Sequence, residues 1–199
     1  MTTSTTARFG YGEADDDLVI RARTETEALA ALYERYYPRI YRYCLHRLFL
    51  SELAEDVTSA VFLQVARHIV TFTGSTEAAF RNWVYAIATN QANSHLRGSL
   101  RRREIMEAAA RRQAQAADGE STAHFGELGR ELDWPTVYEA IASLKPQQQT
   151  VITLRFFEEM PFSRIAEILE CKPVSVRVTC SRALAVLREK LGKAMGEER

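Results

Sequence analysis

Residues 99–131 carry no apolar period, and this gap does more than any other feature to limit what the chain can become. The gap opens near Arg101-Arg102-Arg103, passes through an alanine and glutamine stretch, and reaches Asp118-Gly119-Glu120-Ser121. No core can be built from such a segment, so it reads as a linker. On both sides of it apolar residues recur at helical spacing, and nowhere do they alternate as a strand requires. The expected fold class is therefore all-α: two small helical domains joined by a flexible linker. A chain of 199 residues is long enough for both.

Before the gap, residues 1–23 are polar, with Thr, Ser and an acidic run, and read as a disordered acidic tail. Residues 24–98 form the first domain. One helix is expected over about 25–48, with Leu29, Leu32, Tyr33, Tyr36, Ile40, Tyr43 and Leu48 near one face and Pro38 as a local irregularity. A second is expected over about 52–70, on the stripe Leu53, Val57, Ala60, Val61, Gln64, Val65 and Ile69. Residues 71–77, with Gly74 among Ser and Thr, read as a loop. A third helix over about 78–96 carries Phe80, Trp83, Val84, Ile87, Ala88 and Gln91 in register.

After the gap, residues 132–195 form the second domain. Phe162, Ile165, Ala166 and Leu169 keep helical spacing, and a tight turn at 170–172 leads into Pro173, which suits the first position of a helix. Val176, Cys180, Ala183, Leu184, Leu187 and Leu191 continue the period. The face left over carries Ser175, Arg177, Val178, Thr179, Ser181 and Arg182. Two helices joined by so short a turn match a helix-turn-helix, whose second helix fits the major groove of duplex DNA. A solvated basic face on an ordinary amphipathic helix gives the same pattern, and this motif alone does not separate the two.

Formal charge balances overall, but its distribution is uneven. Residues 1–27 hold six acids against three arginines, residues 97–112 hold six arginines against two acids, and residues 172–193 hold six Lys or Arg against Glu189. Acidic and basic segments on one chain suit a nucleic-acid binder with a separate protein-facing surface. Cys44, Cys171 and Cys180 form no C-x-x-C pair and read as free thiols, and no metal site is expected. No run reaches membrane-spanning length, and the N-terminus lacks a signal-peptide core, so a cytoplasmic location is expected. No catalytic constellation or cofactor motif is present, and the chain does not read as an enzyme.

The third helix adds a second constellation. From Phe80-Arg81-Asn82-Trp83-Val84-Tyr85 to Asn90, Asn93, His95 and Arg97, aromatics alternate with amides and basic residues follow. Aromatic faces stack on unpaired bases, amides bond base edges, and arginines neutralise phosphates. Phe80, Trp83 and Ile87 share a face, so a plain core helix accounts for part of the pattern.

Taken in order, these segments resemble an extracytoplasmic-function sigma factor, the promoter-recognition subunit of bacterial RNA polymerase. Ala54-Glu55-Asp56-Val57-Thr58 with Val61-Phe62-Leu63 is similar to that family's polymerase-binding helix. Phe80 to Asn90 is similar to its promoter-melting helix. Leu144-Lys145-Pro146, Leu154-Arg155-Phe156-Phe157-Glu158, Ile165 to Leu169, Ser175-Val176-Arg177 and Arg182-Ala183 follow its carboxy-terminal domain.

The resemblance implies that Glu52, Glu55, Asp56, Thr58 and Phe62 bind core RNA polymerase, the partner surfaces being the coiled coil of its largest subunit and the flap region. It implies that Thr73, Gly74, Ser75, Thr76, Glu77, Asn82, Trp83 and Asn90 read the opened −10 element, with Arg97, Arg101, Arg102 and Arg103 on phosphates. Lys172, Ser175, Arg177, Val178, Thr179, Ser181 and Arg182 would then meet the −35 promoter DNA, with Arg177 the leading base reader.

An anti-sigma factor is the implied regulator. Phosphorylation of Thr58 or Ser59 is an alternative. The competing functional reading is a helix-turn-helix regulator that is not a polymerase subunit. This chain departs from the family pattern at Ser59-Ala60, at Ala86, at Glu170 in the turn and over Val178-Thr179-Cys180-Ser181, so an unusual −35 sequence is expected.

Overall fold

The computed structural model describes residues 16–97 and 134–197, and all of its regular structure there is helical. Helix α1 (Asp16–Arg21) is followed by α2 (Thr26–Leu48), α3 (Ser51–His68), a 3-10 turn (Ile69–Thr71) and α4 (Glu77–Leu96). The second domain comprises α5 (Trp134–Ala142), α6 (Pro146–Ile152), a π-turn (Thr153–Phe157), α7 (Phe162–Ile168) and α8 (Pro173–Glu197). All of the linker, 99–131, and all of residues 1–15 lie outside the described residues.

The first domain closes around aromatic residues spaced a turn apart on α2. Leu32, Tyr36, Ile40 and Tyr43 are fully buried, as are Val61 of α3 and Phe80, Val84 and Ala88 of α4. Each large apolar side chain withdrawn in this way stabilises the fold by about 1.5–3 kcal/mol. The buried tyrosines keep their hydroxyls satisfied: Tyr43 and Thr89 share a hydrogen bond of 2.8 Å, and Tyr36 donates to Glu77 Oε1 at 2.8 Å. Helix α2 continues through Pro38, and it stops where Phe49 takes a left-handed conformation and its N–H returns to the Leu45 carbonyl.

The expectation of a disordered tail as far as residue 23 is corrected by α1, whose Leu18 and Val19, with Ala22, are buried against the first domain. Six residues are too few to show an apolar period, and the helix exists through packing rather than propensity.

In the second domain α7 ends at a Glu170 with φ 50°, and the N–H of Cys171 closes back on the Ala166 carbonyl at 2.9 Å. A glutamate in this region is less favourable than the glycine such a turn prefers. Pro173 then opens α8, where its missing N–H leaves no bond unmade. Val176, Cys180, Ala183 and Leu187 pack inward, whereas Leu184, expected on that face, is 38% exposed. Its position lies at the edge of the stripe, where helix periodicity is a poor guide.

The two domains do not hang apart. The π-turn pushes Phe157 and Glu158 toward α2 and α4. Phe157 lies 4.4 Å from the His46 ring, and Phe49 meets Tyr138 edge-on at 5.8 Å. Tyr85 donates to Glu158 Oε2 at 2.5 Å, Arg42 approaches Glu158 Oε1 at 3.7 Å, and Gln149 donates to the Arg47 carbonyl at 3.2 Å.

Candidate nucleic-acid and protein interfaces

Helix α3 presents Glu52, Glu55, Asp56, Ser59 and Leu63 to solvent, spaced so that they share one face. The opposite face is core. Thr58 falls on it: fully buried, its hydroxyl donates to the Ala54 carbonyl at 2.6 Å. It cannot touch a partner or meet a kinase without unfolding, which corrects its assignment as a polymerase contact and as a phosphorylation site. Phe62 is also mostly buried, packed edge-on against Tyr33 at 4.9 Å. Tyr33 itself is 44% exposed and joins the acidic face as an aromatic neighbour, although its spacing places it with the core. A phenol tolerates either environment, so spacing does not discriminate between them.

The loop before α4 leaves Thr73, Ser75 and Thr76 exposed. Thr76 caps the helix by accepting the Ala79 N–H at 3.1 Å. Gly74 has no room for a larger residue, since a Cβ there would overlap the Phe72 ring. Glu77, expected to face DNA, turns inward instead. Its carboxylate accepts from Tyr36 and from Arg35 Nη1 at 3.1 Å, which neutralises a buried charge. Those partners lie some forty residues earlier and are invisible to local pattern.

Trp83 is half-buried and stacks on Phe72, the planes inclined by 17° with centroids 4.6 Å apart. Its ring therefore belongs to a flat aromatic surface beside the loop. Asn82 is occupied by the second domain: its Nδ2 donates to Glu167 Oε2 at 2.7 Å, and its Oδ1 accepts from Arg164 Nη1 at 3.3 Å. Asn90 and Arg97 are exposed, while Arg101, Arg102 and Arg103 lie outside the described residues.

Helix α8 exposes Lys172 at its approach, then Ser175, Arg177, Val178, Ser181 and Arg182, with Thr179 half-buried. The Arg177 guanidinium stands 6.0 Å above the Phe162 ring, a cation–π contact that orients it from α7. Val174 and Val178 are 64% and 42% exposed, apolar contacts of a kind that suits thymine methyl groups. Val174 escapes a search of the sequence for polar DNA contacts, because only its position on the helix brings it to this face.

Cys44, Cys171 and Cys180 are free. Burial pushes the Cys44 thiol up to about 12, so it stays protonated and unreactive at neutral pH. Among the described residues no cluster of His, Cys, Asp and Glu could hold a metal ion.

Comparison with known proteins matches two separate stretches of the chain. Residues 32–103 match the model described as Sigma-70 region 2, and residues 136–187 match Sigma-70, region 4. The RNA polymerase sigma-H factor of Pseudomonas aeruginosa is 30% identical over 190 residues, spanning 92% of this chain and 94% of the relative. The ECF RNA polymerase sigma factor BldN of Streptomyces coelicolor is 30% identical over 172 residues, which cover 86% of this chain. This chain belongs to the ECF sigma factors.

The matched part spans 63% of the length of BldN. At the level of fold, this sigma factor is similar to RpoE of Bartonella quintana, solved in complex with the anti-sigma factor NepR. That likeness has a TM-score of 0.56 and 19% identity, covering 82% of this chain and 96% of that one. The family directs RNA polymerase to promoters. Among the described residues no helix is long and apolar enough to cross a membrane.

Proposed function

We propose that this sigma factor reads promoters in two places and that its resting form hides one of them. The Glu52, Glu55 and Asp56 face of α3 docks on a basic surface of core polymerase, where charge complementarity sets orientation and association rate. The loop 73–76 and the Phe72–Trp83 stack receive an unpaired base of the −10 element. The exposed face of α8 reads the −35 element as duplex, with Arg177 and Arg182 as donors and Val174 and Val178 as apolar contacts. The protein supplies specificity and leaves the chemistry of chain synthesis to the polymerase. Its working compartment is the cytoplasm, where that polymerase is.

Asn82 carries this reading. Its amide is held at one end by a carboxylate and at the other by a guanidinium, the acceptor and donor that a base edge would present. While Glu167 and Arg164 hold it, Asn82 cannot read DNA, so promoter opening requires the domains to separate. An anti-sigma factor that clasps both domains would stabilise the closed arrangement; RpoE, of similar fold, was solved in complex with one.

Run-off transcription tests the assignment. Core polymerase plus this protein should initiate at a specific promoter, and core alone should not. Tight duplex binding by the free protein, with no association with core, would instead support a helix-turn-helix regulator outside the polymerase.

A further inference from the structure

Helix α1 packs on α2 and α4 and belongs to none of the binding surfaces described above. Two polar groups on or just after it reach the loop that leads into α4. Asp16 Oδ1 accepts the backbone N–H of Glu77 at 2.8 Å, and the Arg23 guanidinium donates to the Gly74 carbonyl. These two bonds flank the exposed Ser75 and Thr76, with Thr73 just before the first of them. The side chain of Glu77 is fixed in turn by Tyr36 and Arg35, and Gly74 lies flat against Phe72, the ring on which Trp83 stacks. The loop is thus held at Gly74 and at the start of α4 by α1 and the residues that follow it.

We infer that Asp16 and Arg23 are positioning residues for −10 readout: they hold the loop in the shape that receives an unpaired base beside Trp83. The inference rests on the reading of that loop as the −10 pocket. Asp16 acts as a second cap acceptor at the start of α4, adding to Thr76, and a displaced cap would let the first turn and the loop move together. Arg23 fixes the carbonyl of Gly74, where a Cβ would overlap the Phe72 ring. Packing alone would need neither polar group, since Leu18, Val19 and Ala22 already bury the helix.

The test uses holoenzyme assembled from the full chain and core polymerase, with a promoter library randomised across both elements and run-off products sequenced. Asp16→Ala and Arg23→Met should lower the preference for the favoured −10 base over its competitors by about fivefold, the effect of losing one cap bond. Preference at the −35 element should stay unchanged. Asp16→Asn keeps an acceptor and should restore the −10 preference. If Asp16→Ala fails to fold, Arg23→Met reads the other of the two bonds. Lower melting temperature or yield with intact −10 preference would overturn the proposal and leave α1 as packing. Thr73→Ala and Ser75→Ala are the control for the pocket itself: if neither changes −10 preference, the loop assignment fails, and the role of α1 with it.

Discussion

Asn82 and Trp83 are neighbours on α4 with different environments, and the difference decides what each can do. The ring of Trp83 is half-buried and stacked on Phe72, while the amide of Asn82 is satisfied by a second domain. Trp83→Ala should therefore impair promoter opening more than closed-complex formation, by the ~1–3 kcal/mol that stacking one base contributes. Permanganate reactivity of the opened strand, set beside a mobility-shift measurement of the closed complex, would show it. Equal losses in both would return Trp83 to the core. The types of these residues are legible in sequence, because aromatics interleaved with amides are uncommon on a plain core helix. The inward turns of Thr58 and Glu77 are not. Thr58 bonds its own helix, and Glu77 depends on Tyr36 and Arg35, so hydrogen bonding rather than polarity decides both positions.

The long helices are the most readable elements, since α2, α3 and α4 each bury an apolar stripe that repeats over several turns. What escapes a sequence reading is short or irregular. Helix α1 lacks the length to show a period. The π-turn at 153–157 is a hydrogen-bonding choice, seen in the Glu158 N–H closing on the Thr153 carbonyl at 3.1 Å. That turn ends at Glu158, a residue within the family resemblance to which the motif assigns no role. At this scale the acidic face of α3 makes its own prediction. Glu55→Lys with Asp56→Lys should slow association with core polymerase, and raising the salt should narrow the gap between variant and native protein. Stopped-flow binding across an ionic-strength series checks this. Both side chains are exposed, so the melting temperature should hardly move; a large fall would mean that the face is structural.

At the scale of the molecule, two domains and a linker are visible in the sequence, but nothing in it indicates that the domains pack. Contacts such as Tyr85–Glu158 join residues 73 positions apart across a segment with no apolar period. Burial pushes the Glu158 carboxyl up from the ordinary range, against the opposing pull of the Tyr85 hydroxyl and of Arg42 and Arg39. A group raised in the closed form takes up a proton on closing. Its contribution to closure is full below the ordinary carboxylate value and is lost as pH rises through the closed-state value. The closed form should thus tighten toward acid pH, and Glu158→Gln should flatten that dependence in small-angle scattering. Tyr85→Phe leaves the buried carboxylate short of a donor and should weaken closure by about 1–3 kcal/mol. Opening on polymerase binding is read from the distance between domains, by energy transfer between dyes at the exposed positions 94 and 188 as core polymerase is added. Transfer should be high in the free protein and fall as a transcription-competent holoenzyme forms. Specific transcripts from a holoenzyme whose transfer efficiency has not changed would contradict a closed resting form that must open to read DNA.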